Sequence, residues 1–226
     1  MIDNTKYNVA HIGGRSGSTD FPKNIKLQDS INLMIFEPDK TCTQQIQQAN
    51  PNAKIYDYCL DKSEKQRKFY LYKNRFMSSF LESSETKLDL YQEIDGMDMS
   101  IDEAQKIDKI TKLQTKTIDQ LISSKKINEI NYISLDTQGS ELDILKGASQ
   151  NLVEKIISIK LEVSFIEMYK NTCMFKDVDD FLKSMGFLLV DLFTFNSTFK
   201  ERIPQNFRGK QIPVQGESLY ILDPKK

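Results

Sequence analysis

The stretch Tyr132–Gly147, YISLDTQGSELDILKG, sets a carboxylate where a ligand can reach it. An apolar run with Tyr132, Ile133 and Leu135 reads as a strand and stops at Asp136. Gly139 makes the turn. Ser140, with Asp143 three residues on, reads as a helix N-cap with its capping-box partner. Leu142, Leu145, Ala148 and Leu152 then recur at helical spacing. Asp136 is therefore expected at the carboxyl end of a strand, on the rim where open α/β sheets bind ligands. A second acid, Glu162, is expected at the end of the neighbouring strand. Ile157–Phe165 alternates, with Ser158, Lys160, Glu162 and Ser164 on one side and apolar residues on the other. A central parallel strand is normally apolar on both faces, so this polar side predicts a wet cleft.

Two further groups suit the same rim. Strand Tyr7–Ile12 leads into His11-Ile12-Gly13-Gly14-Arg15-Ser16-Gly17, where glycines allow a ligand to approach the backbone and leave N–H groups bare. The spacing is not the G-x-G-x-x-G dinucleotide fingerprint. Glu37 ends the strand Asn32–Phe36, and a carboxylate there can accept both hydroxyls of a ribose. That logic serves any adenosine-bearing cofactor. Plainer roles stand beside each of these. Asp136 can cap the following helix through its N–H groups. Glu141 can favour the helix dipole. His11, the only histidine, can be a packed residue at a strand end.

The elements that must carry these groups alternate strand and helix, which argues for one α/β domain over residues 1–226. Pro38 opens a helix with Cys42, Ile46 and Ala49 on its apolar face, and Asn50-Pro51 ends it. Lys54–Leu60 is a third strand, and Arg67–Tyr72 an extra strand paired near it. Residues 73–108 are polar and irregular, with one short helix at Ile101–Ile107; an insert of that kind is a lid or a loose connection. A strand at Ile110–Thr115 and a helix at Thr117–Ser123 precede the central strand. Val178, Phe181, Leu182 and Met185 face one way on a later helix stopped by Gly186. No helix signal separates Phe187–Phe195 from Ser218–Leu222, so these two strands pair as an antiparallel hairpin at the end of the sheet.

The 226 residues carry 31 basic and 32 acidic side chains, a net charge of −1, which gives no electrostatic case for nucleic acid or an anionic membrane. No apolar run reaches the ~20 residues a bilayer span needs. No secretory signal is visible at the N-terminus. Cys42, Cys59 and Cys173 lack metal-ligand spacing and read as reduced thiols of a cytoplasmic protein.

These pieces, in this order, resemble the FkbM-type S-adenosylmethionine-dependent methyltransferases. The resemblance rests on Ile12–Gly17, Phe36-Glu37-Pro38, Ser78-Ser79-Phe80-Leu81, Asp136 with Gly139 and Glu141, Leu145-Lys146-Gly147-Ala148, Leu161–Ser164, Tyr169 and Gly186-Phe187. It implies the Rossmann-like class I methyltransferase fold, a mostly parallel seven-stranded sheet with a C-terminal antiparallel hairpin strand and helices on both faces. It implies S-adenosylmethionine held by His11, Gly13, Gly14, Gly17, Glu37, Asp61 and Asp136, with Asp61 near the adenine and Cys59 and Leu60 beside the ring. His11 departs from the acid that the family usually has at that place. Methyl transfer to oxygen requires the acceptor to lose a proton, so Asp136 and Glu162 are the expected catalytic pair. They act as a general base, or as ligands of a Mg²⁺ that acidifies the hydroxyl. Tyr169, Lys160 and Gln138 are secondary candidates for positioning. The expected acceptor is a hydroxyl of a sugar, glycan or other small natural product, with no nucleic acid partner and no membrane span. Two competitors remain. One is an NAD- or nucleotide-binding oxidoreductase, disfavoured by the missing fingerprint and the final hairpin. The other is a methyltransferase-like domain that binds without catalysis, which His11 keeps open.

Overall fold

A computed structural model describes residues 6–15, 30–85, 90–94, 97–199 and 212–225. In chain order its strands are β1 (Tyr7–Ile12), β2 (Ile31–Phe36), β3 (Lys54–Tyr56), β4 (Cys59–Leu60), β5 (Gln66–Tyr72) and β6 (Leu90–Ile94). They continue with β7 (Met97–Ser100), β8 (Ile107–Lys116), β9 (Tyr132–Leu135), β10 (Ser158–Ser164), β11 (Phe187–Phe199) and β12 (Ile212–Leu222). The helices are α1 (Thr43–Ala49), α2 (Ile101–Ala104), α3 (Ile118–Ser123), α4 (Glu141–Lys146), α5 (Ser149–Glu154) and α6 (Phe175–Ser184).

The main sheet runs β3-β2-β1-β9-β10-β12-β11, and β6 and β7 extend its far edge. β3, β2, β1, β9 and β10 are mutually parallel. β12 is antiparallel to both β10 and β11, so the hairpin closes with its second strand inserted inside the sheet. Parallel neighbours need crossovers, and α1 supplies the one from β2 to β3, α4 and α5 the one from β9 to β10. On one face Ala10, Ile12, Met34, Phe36, Ile133, Leu135, Ile159 and Leu161 meet Ile118, Leu121, Leu142, Leu145, Leu152, Val178 and Leu182 from α3 to α6. On the opposite face Ile35 packs with Ile46 of α1, Cys42 and Ala53. Each such fully buried aliphatic side chain contributes roughly 1.5–3 kcal/mol.

Local signals were reliable where a short range decided them. Thr117 caps α3 in a reciprocal box with Gln120, and Gly186 leaves α6 at φ +94. Elsewhere the structure corrects the expectation. The third strand stops at Tyr56, and the chain re-enters as β4 in a separate small sheet ordered β4-β8-β5. The extra strand β5 pairs antiparallel with β8, not with β3. Pro38 does not begin a helix. Asp39 caps a 3-10 turn at Lys40–Cys42 by accepting the Thr41 N–H at 3.0 Å, and α1 follows. The helix after Asp136 breaks into α4 and α5 at Gly147. A Cβ there would lie 2.2 Å from the Asp61 carbonyl oxygen, so the chain must be bare to pass. The insert is more regular than expected, because β6 pairs with β11 and α2 gives way to β8 at Ile107. Among the described residues no helix is long and apolar enough to cross a membrane.

Candidate active site

The carboxyl ends of β1, β2, β9 and β10 meet at one rim. Gly13 stands at φ +96, in the left-handed region, and a Cβ there would fall 1.8 Å from the Asp136 carbonyl oxygen. The two strand ends are laced together, since the Asp136 N–H donates to the Ile12 carbonyl at 3.0 Å. The N–H groups of Gly13 and Gly14 both donate to the Phe36 carbonyl, at 3.1 and 3.4 Å. The turn therefore offers close backbone approach at these positions; its first two amides are not bare as expected. Gly17 lies outside the described residues.

Gly13, Phe36, Glu37, Tyr58, Leu60, Phe80 and Asp136 line one cleft. Glu37 is buried and accepts the Asp39 N–H at 2.8 Å. Burial pushes its carboxyl up, against the pull of that N–H and of Arg15. Arg15 itself is paired with Asp39 at 2.6 Å. Cys59 and Leu60 border the cleft, and burial pushes the Cys59 thiol up to about 12. Asp61 does not border it. Its side chain is fully buried and paired with Arg67 at 3.1 Å and Lys65 at 3.3 Å, so its carboxylate ties the small sheet together.

Asp136 and Glu162 are brought together, and the agent is Gln138. Its Nε2 donates to Asp136 Oδ1 at 2.9 Å and to Glu162 Oε2 at 3.0 Å. Asp136 is exposed at the rim, whereas Glu162 is half-buried. Burial first, then the negative charges of Asp136, Glu141 and Glu217, push the Glu162 carboxyl well above the usual range. A second cavity opens on the other side of Gly13 and Asp136, lined by His11, Ser134, Lys160, Glu162 and Glu217. This is the wet cleft that the polar side of β10 predicted. His11 belongs here, with Nδ1 3.3 Å from Ser134 Oγ, and not beside Glu37. Lys160 pairs with Glu217 at 3.0 Å.

The capping role that competed for Asp136 falls to another acid. Glu141 accepts the Thr137 N–H at 2.7 Å and hydroxyl at 2.9 Å, and the Gly139 N–H at 3.0 Å. Ser140, the expected cap, makes no such bond, and its buried hydroxyl has no hydrogen-bond partner among the described residues. Sequence reasoning gave Glu141 only a dipole role; its spacing of two and four residues from the amides it binds was the available signal.

Desolvation dominates and pushes the Glu141 carboxyl up to about 7 from an ordinary 4.5. The folded chain then holds a proton that the unfolded chain has released between those values. Stability accordingly falls as pH rises from 4.5 to 7, by about 3 kcal/mol from this group. Glu141→Gln removes the titration, so its melting temperature should decline less than the parent's between pH 5 and 8 in calorimetry. Equal slopes for the two chains would refute that assignment.

A parallel sheet with one antiparallel strand inserted before its last member, a glycine turn after β1 and an acid after β2 define the class I methyltransferase fold. The chain belongs to the FkbM methyltransferase family, whose domain model matches residues 9–189. Methylation in that family depends on S-adenosylmethionine. Among solved structures, the FkbM methyltransferase from Methylobacillus flagellatus is similar, at 13% identity and a TM-score of 0.50. It is matched over 96% of this chain, which spans only 44% of that protein. The magnesium protoporphyrin IX methyltransferase of Synechocystis, solved with S-adenosylmethionine bound, gives 9% identity and a TM-score of 0.45, covering 98% of this chain and 72% of that one. Fibrillarin from Methanococcus jannaschii gives 9% and 0.46, covering 98% and 69%. No curated protein matches the chain.

Proposed function

We propose that the chain transfers a methyl group from S-adenosylmethionine to a hydroxyl of a sugar, glycan or other small natural product. The observation that carries this reading is that Glu37 and Asp136 border one cleft on either side of the Gly13 turn. When bound, the cofactor supplies an electrophilic methyl on a sulfonium. Glu37 holds the ribose hydroxyls, and Gly13 lets the chain lie against the ligand. Asp136, exposed on the rim and shared by both cavities, takes the proton from the acceptor hydroxyl as the methyl arrives. Glu162, whose carboxyl is pushed up by burial and by its acidic neighbours, hydrogen-bonds the acceptor and leaves the role of base to Asp136. Alignment and exclusion of water by the Phe76–Phe80 segment of the insert supply the rest. The three free thiols support a reducing, cytoplasmic setting.

Calorimetric titration with S-adenosylhomocysteine tests the reading, with NAD in a parallel cell. The parent should bind the first and not the second. Glu37→Ala should weaken binding by about 1.5–3 kcal/mol, the scale for lost charge-assisted hydrogen bonds, and remain folded by circular dichroism. Parental affinity in the folded variant would remove Glu37 from the site. A parent that binds neither ligand would turn the reading to a non-catalytic domain.

A further inference from the structure

The sequence allowed Asp136 and Glu162 to share a Mg²⁺. The donor set between them does not fit one. Among the described residues no three His, Cys, Asp or Glu side chains gather as a metal site. What lies between the two acids is an amide nitrogen, and its two N–H bonds are directed at Asp136 Oδ1 and Glu162 Oε2. A cation needs lone pairs there; Nε2 has none to give.

The amide is held in that orientation from behind. The single Tyr169 hydroxyl proton is shared between two acceptors, the Met77 carbonyl at 2.8 Å and Gln138 Oε1 at 2.9 Å. Tyr169 is almost fully buried. The Gln138 backbone carbonyl accepts Ser79 Oγ at 2.6 Å. Gln138 itself stands at φ +57, a conformation that non-glycine residues enter only when the surroundings impose it. Tyr169, Met77 and Ser79 thus fix a strained residue so that its amide faces the two carboxylates.

We infer that Gln138 is a positioning residue whose amide stands in the place of a divalent cation, holding Asp136 and Glu162 together without a metal. The inference rests on the reading of Asp136 as the base. It adds that the base is oriented by a neutral donor, through Gln138, from the insert and from Tyr169. The geometry also says what would convert the site. Oxygens bound to Mg²⁺ or Mn²⁺ at about 2.1 Å lie about 3 Å from their neighbours. Nε2 is 2.9 and 3.0 Å from its two acceptors. Gln138→Glu puts an oxygen at that point, and the Tyr169 hydroxyl can still donate to the other oxygen. The two spans that Nε2 now makes, to Asp136 and to Glu162, would then run between carboxylate oxygens, and a cation drawing the three together would complete the site.

The test is titration of the apo chain with Mn²⁺ alone, read by calorimetry and by thermal melting with and without a chelator. The parent should bind Mn²⁺ no tighter than about 1 mM, and S-adenosylhomocysteine should bind it equally with the chelator present. Gln138→Glu should bind Mn²⁺ at least tenfold more tightly than the parent, with a rise in melting temperature that the chelator reverses. If Gln138→Glu unfolds alone, Mn²⁺ should restore its circular dichroism. Gln138→Leu, which has the bulk but no charge, should gain no Mn²⁺ affinity, and so separates a cation site from a change in packing. A parent that binds Mn²⁺ well below 1 mM, and loses it in Asp136→Asn, overturns the inference. So does a Gln138→Glu chain that neither gains affinity nor is rescued by Mn²⁺. Neither result touches S-adenosylhomocysteine binding, so failure here is distinct from failure of the methyltransferase reading.

Discussion

Gly13→Ala is expected to cost about 4 kcal/mol or more of stability and to abolish cofactor binding in whatever fraction folds. Two independent penalties add. The backbone stands at φ +96, where an alanine is strained, and the new Cβ would sit 1.8 Å from the Asp136 carbonyl oxygen. That oxygen is backbone, so no side-chain rotation relieves the clash. The turn must lift from β9, which breaks the bond from the Asp136 N–H to the Ile12 carbonyl and shifts the base together with the cofactor turn. Gly14→Ala is the contrast. Its Cβ would come 2.3 Å from the Ile35 Cγ2, a buried side-chain methyl that can give way only by repacking against Ile46, so it should cost about 1–3 kcal/mol. Urea unfolding and S-adenosylhomocysteine titration of both variants check this. A Gly13→Ala chain as stable as Gly14→Ala would show that the turn does not bear on Asp136 as described.

Asp136→Asn should leave stability close to the parent's and slow methyl transfer by about 10²-fold or more, the range for losing a positioned base. Stability should hold because the variant keeps the acceptor oxygen that meets Gln138 Nε2. It should also hold because the amides of the following turn are bound by Glu141, so no cap is lost. Transfer should fall because the amide cannot take the acceptor's proton. The measurement is label transfer from methyl-tritiated S-adenosylmethionine to polyhydroxylated acceptors, with unfolding curves alongside. Normal turnover in a folded Asp136→Asn chain would move the base elsewhere, with Glu162 next to test.

Much of the rim was legible because short-range chemistry writes it. A β-branched run ending in an acid, a glycine pair after a strand and an acid after the next strand each depend on a few neighbouring residues. Asp136, Gly13 and Glu37 accordingly stand where their spacing put them. The antiparallel pairing of β11 and β12 was equally legible, since a chain with no crossover helix can return only beside itself.

Direction was not legible, because partners far along the chain decide it. Asp61 sits at the predicted place but turns to Arg67, across a strand pairing that periodicity does not report. Ser140 has the type and spacing of a cap, yet Glu141 reaches the same turn with two acceptor oxygens and displaces it. Gln138 reads as a candidate for positioning the acceptor or the insert, and only Ser79 and Tyr169, 59 and 31 positions away, show that its amide lies between two acids. The sequence by itself determined which residues reach the rim, since strand length and turn chemistry are local. Only the tertiary structure decided what each one faces, since a side chain takes its orientation from the lowest-energy partner within reach, wherever in the chain that partner begins.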